Sequence, residues 1–423
     1  MRRLWSHVVL AGVCLGLPLS GCNCDDETED TPWELTDPFP EEDLAFDMPP
    51  DLAPDMPEDM PPEIDMMIEI PPEIPWEREV IEEVELQQAL NDRTSLDVGE
   101  DGTVWLGYHS CNDSICSDPY LSVAIEEQDS RQWRFEDVAR QQGTFGLIVY
   151  KDQPWVAYLD EINQQFRVGY RLESGEWVKW PLPVNFTGAY DGLDLTHDDD
   201  HLYVTFASSL QTPVELFGLD MRRSNSEFIS LAKLDVKEAS AALERGLAAN
   251  NQGNLFLVHR DGSSGPYGVA RYKLEDNLWD RQSYYSDPSI TVSSMIAREN
   301  GDICMSSTVD GGFIGDGVFE VTCGKLNNLR RQVWRYDNES LSSYSSMIEG
   351  QDGSLIIAYN AGGNSRLRVA RRYPDGQWDF RTVFNGSSYG VSTAIDTDNK
   401  LLISYYTCEG SRCTLEMLRQ PYL

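Results

Sequence analysis

Histidine is scarce in this chain, with 5 in 423 residues, and basic side chains are few, with 33 Lys and Arg against 71 Asp and Glu. The resulting formal charge of -38 excludes nucleic acid or an anionic membrane surface as the natural partner, because both repel so acidic a chain. No His stands beside the cysteines at a zinc-like spacing, which argues against a structural zinc site. No P-loop, dinucleotide fingerprint or nucleophile elbow falls in a strand–turn–helix context, so the common nucleotide and hydrolase motifs are missing. No segment carries an apolar period of 3.6 over a helix's length, which excludes all-α and α/β architectures. Residues 4–19 are apolar, but too short and too rich in small residues for a spanning helix.

What stands at the amino-terminal end is ordered like an export signal. Arg2 and Arg3 precede the apolar stretch, which ends in Leu19-Ser20-Gly21-Cys22. This resembles a bacterial lipobox, which implies cleavage before Cys22 and lipidation of its thiol. Residues 1–21 are then a lipoprotein signal peptide. Asn23, rather than Asp, follows the cysteine. The resemblance therefore implies a lipid-anchored protein of the cell envelope, held in the bilayer by its acyl chains and sorted to the outer membrane.

Residues 22–72 form an acidic, Pro-rich segment in which a Pro-acid-apolar unit recurs near every fourth residue, as in "DMPPDLAPDMPEDMPPEID". Proline denies it helix and ladder hydrogen bonds, and its acids repel one another. The segment reads as a disordered linker, and some fifty residues at roughly 3 Å each would reach on the order of 150 Å.

From residue 94 a turn-and-strand unit repeats seven times: "DGTVWLGY" at 101, "KDQPWVAY" at 151, "DDHLYVTF" at 199, "QGNLFLVH" at 252, "NGDICMSS" at 300, "DGSLIIAY" at 352 and "DNKLLISY" at 398. Its turn positions Gly102, Asp152, Asp200, Gly253, Gly301, Gly353 and Asn399 recur every 46 to 53 residues, near the period of propeller blades. These residue types tolerate the positive φ of tight hairpins. Small residues open the strand before each turn, as in "GVSTAID", where inner strands must converge on an axis. A third strand follows, then a fourth led by Trp133, Trp177, Trp279 or Trp378. The fold expected for residues 73–423 is all-β: a seven-bladed β-propeller of four-stranded antiparallel blades.

The seventh unit ends in "CTLEMLRQPYL" and lacks a Trp-led fourth strand. Upstream, "PWEREVIEE" has that form, with Trp76 leading and Val80 set against Val138 and Val383. Residues 75–84 are therefore expected to be the outer strand of the last blade, closing the ring and covering a raw sheet edge.

Six cysteines pair by register. Cys111 and Cys116 stand nine and fourteen residues after Gly102, and Cys408 and Cys413 stand nine and fourteen after Asn399. Cys304 and Cys323 occupy the same two strands of the fifth unit. An exported domain is expected to join them as disulfides. Cys24 is left over.

Residues 76–423 resemble bacterial secreted propeller-repeat proteins, loosely the sialidase-like ones. "SLDVG", Ser95 to Gly99, echoes the start of a sialidase Asp-box, but Glu100 and Asp101 stand where that box has Thr-Trp. The inner strands offer Asp97, Asp194, Arg298, Glu349 and Asp396 as candidate catalytic groups, scattered over five blades. "HDDDH", His197 to His201, reads as a turn more than a cation site. "DGGFIGDG", Asp310 to Gly317, is the one calcium-like loop, without EF-hand spacing. No other metal or cofactor is expected. Tyr190, Tyr267, Tyr285, Tyr344 and Tyr389 fall on one face and suit a peptide or glycan. The expected function is a non-enzymatic binding or scaffold module for an envelope protein, peptide or glycan. The alternative is a glycan-acting hydrolase or lyase with its active site in an axial pocket.

Overall fold

Short turns of two or three residues reverse the chain between the first two strands of each blade, and in the computed structural model each closes a hairpin. The structure describes residues 75–85, 93–111, 119–127, 130–140, 143–160, 162–183, 190–208, 214–222, 227–234, 246–260, 267–283, 290–309, 318–326, 328–333, 345–362, 365–409 and 412–420. They form seven four-stranded antiparallel sheets, and no helix occurs among them. Blade one is β2 (Ser95–Val98), β3 (Val104–Cys111), β4 (Pro119–Glu126) and β5 (Trp133–Arg140), paired in that order. The other inner strands are β6 (Phe145–Tyr150), β10 (Tyr190–His197), β14 (Leu247–Asn250), β18 (Ile290–Ala297), β22 (Ser345–Glu349) and β26 (Tyr389–Ile395). Each touches the next, and β26 returns to β2. The architecture is a seven-bladed β-propeller.

Six of the seven predicted turn positions are left-handed, from φ +60° at Asp152 to +82° at Gly102. Asp200 is the exception. There the Asp198 carboxylate accepts from the backbone N–H of Asp200 at 2.8 Å and of His201 at 2.7 Å. A side-chain cap holds this turn without a left-handed residue at position 200.

The core is divided among seven seams, one between each pair of blades. Both faces of every blade are therefore covered. This explains why second strands such as β23 (Leu355–Ala361) are buried at every residue and read as continuous apolar runs rather than alternating ones.

The ring closes through β1 (Glu77–Glu85). It pairs antiparallel with β28 (Arg412–Arg419), which pairs with β27 (Leu401–Glu409) and then β26. The closing strand is thus where the Trp76 pattern places it. The alignment of Val80 needs correction. Val80 is 58% exposed, whereas Ile81 and Val84 are buried. A register shift between Val80 and Glu82 leaves Ile81 as the extra residue, a β-bulge. Ile81, five residues after its Trp, is the counterpart of Val138 and Val383.

Disulfides join Cys304 to Cys323 and Cys408 to Cys413, each across directly paired strands. Cys111 is disulfide-bonded. Its expected partner Cys116 lies outside the described residues, as do Cys22, Cys24, the linker and the loop from Asp310 to Gly317.

Candidate functional site

An inner strand is the edge of its sheet, so its axis-facing N–H groups have no ladder partner. Side chains of the preceding blade supply acceptors. Leu96 N–H donates to Ser392 Oγ at 2.8 Å, and Leu147 N–H to Ser95 Oγ at 3.1 Å. Met347 N–H donates to Ser294 Oγ at 3.2 Å, and Thr393 N–H to Ser346 Oγ at 3.0 Å. Two aspartates do the same. Asp97 accepts from Val98 and, across the seam, from Val149 at 2.6 Å. Asp194 accepts from Leu195 and, across the next-but-one seam, from Leu247 at 2.8 Å. The small residues expected at the axis therefore bond as well as fit.

Inside this ring lies an axial cavity of about 390 Å³. Its aliphatic and sulfur-bearing lining includes Leu96, Leu147, Leu247, Met295 and Met347. Its polar lining includes Arg93, Asp97, Asp194, Thr196, His197 and Thr393. The remaining candidate acids and base stand elsewhere. Arg298 pairs with Glu349 at 2.5 Å and reaches the Gly353 carbonyl at 3.0 Å. Asp396 caps its own turn through Asp398 and Lys400 N–H. All five candidate catalytic groups thus hold structural bonds. In the His197–His201 turn, Asp198 also accepts from the Tyr203 hydroxyl at 2.7 Å. No group of three or more metal-ligating side chains occurs among the described residues.

Of the tyrosines predicted for a ligand face, Tyr267 is buried in the seam between blades four and five, and Tyr389 packs half-buried against the seam of blades seven and one. The Tyr267 ring fills its seam, and Tyr389 leaves part of its surface exposed. Tyr190 begins β10. Tyr285 and Tyr344 lie outside the described residues.

Sequence reasoning missed two charged sites on the closing blade. Glu416 is 1% exposed and is held by four donors: Arg78 Nε at 2.5 Å, Arg78 Nη2 at 2.6 Å, the Tyr405 hydroxyl at 2.8 Å and Thr407 at 2.7 Å. Burial alone would raise its pKa, but these bonds outweigh it and hold the carboxyl below its ordinary range. Glu82 goes the other way. Burial raises its pKa, a bond from the Tyr108 hydroxyl opposes the rise, and Asp137 adds repulsion. The isolated "EREVIEE" gave no hint that Arg78 would pair with a buried Glu416 on β28 or that Glu82 would meet Tyr108 of blade one.

No family model and no curated protein matches the sequence. Solved structures do share its shape. A streptogramin B lyase is similar over 81% of this chain and 97% of its own, with 12% identity and a TM-score of 0.54. A polysaccharide lyase covers 78% of this chain and 90% of its own, with 10% identity and a TM-score of 0.52. A fungal alcohol oxidase in complex with copper covers 82% and 76%, with 11% identity and a TM-score of 0.55. The likeness is one of fold. Lyases and an oxidase share it, so the fold by itself names no chemistry.

Proposed function

We propose that this protein is an exported, lipid-anchored β-propeller that binds a peptide or glycan at the cell envelope without transforming it. Cys22 carries the lipid, the outer membrane receives it, and residues 22–72 hold the propeller away from the bilayer. One observation carries the non-enzymatic reading. The charged groups that the inner strands bring toward the axis, Asp97 and Asp194 above all, are engaged in fastening one blade to the next. A general acid or base needs an oxygen available to substrate.

The second reading is a glycan hydrolase or lyase at the axial cavity. What favours it is that Asp97, Asp194 and His197 share one lining. The full chain, incubated with envelope glycans and peptides, separates the two. Retention of a ligand with unchanged mass supports binding. New reducing ends or unsaturated sugars, lost in D97N or D194N variants that keep the wild-type melting temperature, overturn it.

A further inference from the structure

Another concavity lies away from the axis, at the outer seam of blades six and seven. It measures about 920 Å³, at the upper end of the range for ligand pockets. One wall is β1, and the other is the end of β25 (Trp378–Asn385) with the residues that follow. The β-bulge creates it. With Ile81 turned into the seam of blades seven and one, Val80 is left in the cleft, 58% exposed. At the other end of the same seam, Trp76 and Arg381 leave only about 40 Å³.

The floor is built rather than incidental. Glu416 is buried there and fixes Arg78 through two bonds. The guanidinium lies over the Phe384 ring, 4.9 Å from its centroid. Phe384 packs behind against Tyr405, with ring centroids 5.3 Å apart. Gly386 allows the loop to close on the ring, since a Cβ there would stand 2.7 Å from two of its atoms. Arg78 uses Nε and Nη2 on Glu416, and 49% of its side chain is exposed at the cleft.

Charge decides the class of ligand. Arg78 and Arg412 face Glu83, Glu409 and Glu416 across the lining, a formal sum of -1 with Arg78 already matched. An anion gains little there, and a cation finds no carboxylate cluster among the described residues. What the cleft does offer is Asn385, Ser387 and Thr414, which both donate and accept, and Thr407, whose hydroxyl donates to Glu416 and keeps only acceptor capacity, beside the apolar surface of Val80 and Phe384. Hydroxyls with an adjoining C–H face match that pairing. We infer that the cleft between blades six and seven binds a neutral oligosaccharide of two or three sugar units. This rests on the binding reading and gives it a location, distinct from the axial cavity.

The test uses the full chain and three neutral probes: cellotriose, maltotriose and N-acetylchitotriose, titrated by calorimetry. Val80→Asp and the double variant Asn385→Ala/Ser387→Ala alter exposed positions, and Thr196→Val serves as an axial control. The expected result is that at least one probe binds, at least tenfold more weakly to both cleft variants than to the parent and Thr196→Val. Equal binding to the cleft variants, or loss only in Thr196→Val, overturns the assignment. So does failure of all three probes at millimolar concentration. If an envelope peptide is then retained, the binding reading survives while the cleft assignment does not.

Discussion

Glu416 shows what one residue demands of its surroundings. A carboxylate this buried survives charged because four donors replace water. Its pKa is held low, so the stability it contributes is present above the ordinary carboxylate range and lost as pH falls through the lowered value. Arg78→Ala leaves the charge poorly paired. We expect a loss of about 1–3 kcal/mol at neutral pH, after discounting for the half-exposed arginine. Glu416→Gln in the Arg78→Ala background should restore part of it, as measured by denaturant melts. Glu82 behaves oppositely. Its folded pKa is raised, so its stabilisation is complete below the unfolded value and disappears as pH rises through the folded one. Glu82→Gln should raise the melting temperature by about 2 °C at pH 7, for a gain of about 1 kcal/mol, and leave it unchanged or lower at pH 4. A gain at both pH values would refute the buried-carboxylate account.

At the scale of one element, β1 is the part of the propeller contributed from the far end of the chain. It is tied to blade one as well as to its own sheet. Glu79 accepts from the Trp133 indole at 2.9 Å and from Arg419 at 3.3 Å, and Arg419 also reaches Glu126 at 2.6 Å. The tie repeats one blade on, where Glu136, also three residues after its Trp, accepts from the Trp177 indole at 3.0 Å. Removing β1 exposes the edge of β28 and uncovers Ile81 and Val84's partners in the seam. A chain beginning at residue 90 should melt several degrees below one beginning at residue 73, or aggregate, while the longer chain matches the full-length domain. Equal melting and solubility would refute the closing role. The Trp lead made this strand visible in the sequence. Its bulge was not visible, because "EREVIEE" carries too few apolar residues to fix which of Val80 and Ile81 faces inward.

For the whole molecule, the division into seven seams means that no blade buries both its faces alone, and stability depends on closure. The proposed anchor is a separate matter. Cys22→Ala should move the protein from the membrane fraction to the soluble one, because the acyl chains supply the main apolar attachment. A variant that sediments with membranes as fully as the parent would overturn the lipoprotein reading.

The sequence by itself determined the blade count, the four-stranded unit and the identity of the closing strand. These rest on local chemistry that recurs around the ring: Gly, Asp or Asn at the turns, six of the seven with positive φ, apolar runs where both faces are covered, and Trp leading five of the outer strands. Only the tertiary structure decided what the polar residues do. Asp97 and Asp194 look alike as catalytic acids or as backbone acceptors until the next blade's N–H groups are placed beside them. Tyr267 looks the same on a ligand face or in a seam until its neighbours are known. The cleft at Arg78 and Phe384 joins residues some three hundred positions apart. Periodicity records how a chain folds locally, but not which distant side chains the closed ring brings together.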